Sequence, residues 1–331
     1  MMPLASGPSW FAVPLIELWF VALFLTLAMF LWLDGTNFGM GILYGLADEH
    51  EARERILAAT APFWDGAEVW LIVFGGALFA VFPDVYGRLF SGYYLLMFAI
   101  LGSLILRGIS PEFMEQREDP AWHRAWGLTF IIGSTLSPFF LGMFAANWLV
   151  GAERIITLPA IVCGLALVGI STAQGAGFLG MKSPRGLGAD IARYARIGQV
   201  AYLLLAVVTV VYLFVAVDGM ARKVMHPVVL GLVVLTAVLG VAYLVFIGRE
   251  SYFEAFLAAG AQIFGLVALV AVLLFPVIHP ASGLDVFEAA VSDLQLKMMT
   301  VVLAIFLPLV LGYFAVLYNA FSGPIDVAEG Y

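Results

Sequence analysis

Apolar runs long enough to cross a lipid bilayer dominate this chain, and no other feature limits its fold as much. A spanning helix needs about 20 mostly apolar residues. Runs of that kind lie near 10–33, 63–83, 89–108, 126–150, 156–180, 197–217, 226–247, 253–277 and 298–320. In hydrocarbon the backbone must satisfy its own hydrogen bonds within each segment, so the runs predict helices. Composition agrees, with 63% hydrophobic and 11% charged residues, against about 45–50% and about 25% in a soluble domain. The expected fold is an all-α polytopic membrane protein, a single transmembrane domain over 1–331 with nine helices. The short loops leave no room for a soluble domain. The first run has no Lys or Arg before it and exceeds the length of a signal segment, so it is expected to stay as a helix.

The Lys and Arg distribution sets the orientation. With the N-terminus outside, the inner loops hold Arg53, Arg55, Arg107, Arg117, Arg124, Lys182, Arg185, Arg193, Arg196 and Arg249, and the outer loops hold Arg88, Arg154, Arg222, Lys223 and Lys297. Ten against five predicts N outside and C inside. The longest loop, 34–62, carries charges of alternating sign from Asp48 to Arg55, with Asp48 and Glu51 spaced like a capping box. It reads as a short surface helix stopped by Pro62. A faint internal repeat is visible. The first run exits through Asp34-Gly35-Thr36-Asn37-Phe38-Gly39-Met40-Gly41, and the fifth through Gln174-Gly175-Ala176-Gly177-Phe178-Leu179-Gly180-Met181. Two four-helix units plus one extra helix fit that spacing. Chance also fits it, because glycine is common in membrane helices.

The chemistry available is narrow. The four histidines (His50, His123, His226 and His279) fall in loops or at the ends of runs. A haem held inside a membrane bundle needs His, or His with Met, projecting from within the spans. Twelve methionines without a histidine partner read as packing. No haem or metal is therefore expected on this chain alone. Cys163 is the single cysteine, which excludes an intrachain disulfide and a cysteine metal site. No phosphate-cradling loop is apparent, which speaks against an ATP-driven engine. The net charge of −8, part of it in a tail with Asp326 and Glu329, speaks against nucleic acid.

What remains is a set of carboxylates at membrane depth, where each costs about 2.5–3.5 kcal/mol on insertion scales. Asp65 and Glu68, in Trp64-Asp65-Gly66-Ala67-Glu68, open the second run and share a helical face at i and i+3. Two close carboxylates in a poorly solvated place are suited to taking up and releasing protons. The competing reading is a helix start, where acidic side chains are electrostatically favoured. It weighs more for Asp65 than for Glu68, one turn deeper. Asp34 and Asn37 are also i and i+3, at the inner end of the first run. An anion at a helix C-terminus is unfavourable, so Asp34 calls for a partner, and Arg107 at the inner end of the third run is the candidate. Glu17 is a further intramembrane acid on the outer half. Asn147, Gln174, Gln199 and Gln262 read as interhelical hydrogen-bonding groups.

Taken in order, these residues resemble subunit II of the cytochrome bd-type quinol oxidases. The resemblance runs through Asp34–Gly41, Ala61-Pro62-Phe63-Trp64-Asp65-Gly66-Ala67-Glu68-Val69-Trp70-Leu71, Gly75-Gly76-Ala77-Leu78-Phe79-Ala80, Pro83-Asp84-Val85-Tyr86, Phe90-Ser91-Gly92 and Arg107. It is dense in the first third of the chain; helix count and the 174–182 region carry the rest. It implies nine spans and a similarly built partner, subunit I, which holds the b and d haems and the quinol site. The complex would reduce oxygen to water with cytoplasmic protons, building a gradient without pumping, in a prokaryotic cell membrane. This chain would bind no haem of its own. It would contribute a proton path through Asp65, with Trp64, Glu68, Asp34, Asn37 and Arg107 around it. A structural quinone, an oxygen path, lipid and small single-helix accessory subunits are further associates the resemblance allows. The chain departs from the family pattern in Asn37, where a second acid is usual, in Glu68, where some relatives have an amide, and in Gln174, in place of histidine. These departures fit the cyanide-insensitive branch or another divergent one. The alternatives that stay open are a proton-coupled secondary transporter and a purely structural partner whose carboxylates only fix docking.

Overall fold

The computed structural model describes residues 14–60, 64–183 and 187–320, without the side chains of Trp64, Asp65, Leu317, Tyr318 and Ala320. The described residues form thirteen α-helices: α1 (Leu15–Leu46), α2 (His50–Thr60), α3 (Trp64–Val81), α4 (Pro83–Gly92), α5 (Tyr94–Met114), α6 (Pro120–Val150), α7 (Leu158–Lys182), α8 (Ala189–Ala216), α9 (Met220–Val224), α10 (Pro227–Gly248), α11 (Tyr252–Leu274), α12 (Val286–Ala289) and α13 (Asp293–Ala320). Eight of them are long and apolar enough to cross a membrane, and α3 is a shorter apolar helix. Each expected span has a helical counterpart.

Helix ends follow local chemistry. The Asp119 side chain accepts from the backbone N–H of Ala121 ahead of α6, Thr157 accepts from Ala160 ahead of α7, and each helix has proline in its first turn. Proline there removes an N–H that has no intrahelical partner anyway. α6 stops at Gly151, whose φ of 66° is a left-handed cap. α2 is the expected surface helix. It is tied back to α1 by Arg53, whose Nε donates to the Ala47 carbonyl at 3.0 Å while its guanidinium lies over the Tyr44 ring.

Three boundaries differ from expectation. α1 does not exit at Asp34 but continues unbroken to Leu46, over 32 residues. That is about 48 Å at 1.5 Å per residue, more than the roughly 30 Å hydrocarbon core. The glycines that suggested an exit serve close helix packing instead. The same holds for Gln174–Met181, which lies within α7. The expected third span splits at Tyr93 into the short α4 and the longer α5, which extends to Met114.

α1 is the central helix, packed against α3, α6, α7 and α11. Its crossing with α7 brings backbones together: a Cβ on Gly39 would lie 1.9 Å from the Ser171 carbonyl oxygen, and one on Gly175 would lie 2.7 Å from the Gly39 Cα. In lipid, helices associate through packing and polar contacts rather than the hydrophobic effect, so close backbone approach matters. The two stretches paired by the faint repeat therefore meet face to face. Polar side chains add ties. Gln199 donates to Gln262 at 2.8 Å between α8 and α11, and Asn147 binds the Ile155 carbonyl and the Thr157 hydroxyl between α6 and α7. α13 is buried least; Trp19 of α1 donates to its Thr300 at 3.0 Å. Glu17 sits half-buried in the first turn of α1.

Gly39→Ala is expected to destabilise the subunit by at least about 1–3 kcal/mol, the usual cost of overpacking. Gly231→Ala on α10, where a Cβ meets open space, is expected to be neutral or slightly stabilising. Thermal unfolding of the detergent-solubilised complex checks both.

Candidate functional site: a buried guanidinium between two carboxylates

Three helices converge on Arg107. α5 carries it, α1 carries Asp34 and α3 carries Glu68. The side chains of Arg107 and Asp34 are 1% and 0% exposed, and that of Glu68 is 31% exposed. Arg107 Nη2 lies 3.0 Å from Asp34 Oδ1 and 3.2 Å from Oδ2, and it also donates to Glu68 Oε1. Asn37, one turn along α1, donates from Nδ2 to Asp34 Oδ1 at 3.1 Å. The guanidinium carbon stands 5.2 Å from the centroid of the Phe38 ring, within cation–π range. Among the described residues, Arg107 Nε and Nη1 have no acceptor.

Local structure explains the convergence. Asp34 is inside a continuous helix rather than at a C-terminus, so its charge is balanced by Arg107 and not by a helix end. Gly133 on α6 lets that helix lie against the backbone of α5 at Arg107; a Cβ there would be 2.6 Å from the Arg107 nitrogen. α5 is thereby held at the depth of Asp34.

The structure brings together four of the six residues singled out in the sequence: Asp34, Asn37, Glu68 and Arg107. Trp64 and Asp65 belong to the first turn of α3, and their side chains lie outside the described residues. The sequence reading missed Phe38, and it also missed the polar neighbours of α1 on α7, Ser171 and Gln174, as parts of one layer. The glycines at 35, 39 and 41 were the available signal, since glycine on a membrane helix marks a face against which something packs closely.

The cluster holds ionisable groups of both signs in contact. One guanidinium faces two carboxylates, one enclosed and one partly exposed. Among the described residues, no group of three or more His, Cys, Asp or Glu side chains is placed to hold a metal ion. The histidines stand outside the spans' interiors: His50 on α2, His123 in the first turn of α6, His226 capping α10 and His279 in the loop before α12. Their placement does not fit haem ligation within the bundle. A separate apolar cavity of about 680 Å³ lies farther along the helices, lined by residues including Leu31, Phe74, Ile100, Trp148, Cys163 and Tyr202.

The fold and the site define a polytopic membrane subunit that carries a buried charge cluster between its helices. The chain belongs to the cytochrome bd terminal oxidase subunit II family, whose model matches residues 15–321. It is 28% identical over 320 residues to the cytochrome bd ubiquinol oxidase subunit 2 of Bacillus subtilis (strain 168), covering 89% of this chain and 92% of that one. It is 25% identical over 357 residues to the cytochrome bd-I ubiquinol oxidase subunit 2 of Escherichia coli (strain K12), covering 93% and 94%. Its fold is shared with a solved structure, the bd oxidase from Geobacillus thermodenitrificans, at a TM-score of 0.77 and 16% identity, over 93% of this chain and 99% of that one. It is thus a multi-pass prokaryotic membrane protein and one subunit of a terminal oxidase.

Arg107→Leu leaves the buried Asp34 carboxylate without its cation and is expected to cost about 3–5 kcal/mol. Adding Asp34→Asn is expected to recover part of that loss, the non-additivity that contacting charges show. A double-mutant cycle on the thermal stability of the complex measures it.

Proposed function

We propose that this chain supports a haem-bearing subunit I in a quinol-oxidising complex and helps deliver cytoplasmic protons for the reduction of oxygen to water. The observation that carries this reading is the Arg107 clamp. Three charged groups from three helices meet at membrane depth, and intramembrane charges of this kind mark proton routes and substrate paths. Asp65, one turn before Glu68 on α3, would receive protons at the cytoplasmic mouth, with Trp64 beside it. Glu68, partly exposed, would pass them to the Asp34–Arg107 pair, which Asn37 steadies. An excess proton is stabilised there because it neutralises the cluster.

The orientation that fits is N outside and C inside, with α3 as the ninth span, so that α3 begins on the cytoplasmic side. In this reading the b and d haems and the quinol site belong to subunit I, and the chain spans the cell membrane as a single domain of two four-helix units and a last helix. The apolar cavity supports a structural quinone or lipid chain as a further ligand, detectable by extracting the purified complex. Small single-helix accessory subunits would dock on the apolar outer faces. Family membership favours this reading over a secondary transporter, and the clamp favours proton delivery over mere docking.

Asp65→Asn and Glu68→Gln are each expected to slow oxygen reduction by roughly 10-fold or more, the lower part of the range for losing a positioned acid–base group, with haem absorption spectra unchanged. Oxygen consumption of the purified complex measures it. Turnover at the wild-type rate in both single variants and in the double variant would sink the proton route.

A further inference from the structure

We infer that a buried water molecule binds between α1 and α7 beside Gly35, held by Gln174 Oε1 and Ser171 Oγ. Both residues are fully enclosed, at 0% and 1% exposure, and neither oxygen has a hydrogen-bond partner. Both lie beside Gly35: from the position a Cβ on Gly35 would occupy, Gln174 Oε1 is 3.0 Å away and Ser171 Oγ is 3.7 Å away. The amide orientation is fixed. Gln174 Nε2 donates to the Trp32 carbonyl, which can only accept, so the amide oxygen must be the atom that faces Gly35.

Ser171, like Ser134 on α6, is a fully buried serine whose hydroxyl has no partner among the described residues. Thr36, Ser110, Ser137 and Thr172 each donate to the carbonyl four residues back, the usual resort of a hydroxyl in a membrane helix. Ser171 makes no such bond, so its O–H is free for another acceptor. Leaving these buried groups unpaired costs about 1–3 kcal/mol each, and a buried water is the ordinary remedy where several polar atoms meet. Water donates to Gln174 Oε1 and accepts from or donates to Ser171 Oγ, which satisfies both. Gly35 is the residue that permits this, because any side chain would crowd the amide oxygen.

The role of this water rests on the proton reading proposed above. It extends the hydrogen-bonded layer from the Thr36–Trp32 turn of α1 across to α7. The site itself is independent of that role, and the two are tested apart. The whole oxidase, purified through this chain, is imaged at a resolution that shows ordered water, as wild type and as Gly35→Ala. A peak within hydrogen-bonding distance of both oxygens in wild type, lost in Gly35→Ala while the Asp34–Arg107 pair keeps its geometry, is the expected result. Direct contact between Ser171 and Gln174 with no peak, or a peak that persists in Gly35→Ala, overturns the inference. If Gly35→Ala does not assemble, Gln174→Met removes the acceptor at similar volume and should also lose the peak; persistence there overturns it equally. The role is read from oxygen consumption, where Gly35→Ala should fall several-fold with normal haem spectra. Full activity in Gly35→Ala without the peak ends the role but not the site. Full activity in the Asp65 and Glu68 variants ends the proton route and leaves the water standing.

Discussion

A guanidinium without water must be given anions, and in this chain that requirement ties three helices together. Arg107 sits on α5, Asp34 on α1 and Glu68 on α3. Neither Arg107 nor Asp34 is stable alone at this depth, because an isolated buried charge pays a desolvation penalty of several kcal/mol. Together the three residues fix where α1, α3 and α5 stand along one another. The glycines are consistent with that need. Gly133 brings α6 onto the backbone of α5 at Arg107, and Gly39 meets Gly175 where α1 crosses α7. Close packing and charge pairing thus act on neighbouring stretches of α1 and α5.

Much of this was legible in the sequence, and the reason is that membranes simplify the code. Hydrophobic runs gave the helices because a lipid solvent admits few alternatives. The pairing of Asp34 with Arg107 was legible for an electrostatic reason: an intramembrane acid needs a cation, and few cations lie at that depth. What misled was the meaning of glycine. Gly35 and Gly39 resemble the end of a helix, where glycine relaxes backbone constraints. In α1 they lie in the interior of 32 helical residues. A helix end and a close helix crossing both favour glycine, and only the partner helix decides between them. Gln174 was legible as an interhelical hydrogen-bonding group, but not its partner, because the Trp32 carbonyl leaves no trace in side-chain spacing.

The division of labour within the molecule follows from the same constraint. Polar residues gather around the segment 32–41 of α1, while farther along the helices the interior opens into an apolar cavity. Such a separation keeps charge and hydrogen-bonding groups away from a region that can accept an apolar guest. It also keeps water, where it enters, on the charged level, since a water molecule needs two to four polar partners and finds few in the cavity wall.

The clamp's stoichiometry has a further consequence. A neutral pair of one carboxylate and one guanidinium would be a static tie. Here two carboxylates face one guanidinium, and the two acids are unequal: Asp34 is enclosed and further held by Asn37, while Glu68 is partly open. In the relay proposed above, a proton taken up at Glu68 would leave Arg107 paired with Asp34. In that proposal the second carboxylate is what would let a structural ion pair change its charge state without leaving a bare ion in the membrane. Glu68 is therefore the residue on which, in the proposed function, the difference between scaffold and relay turns.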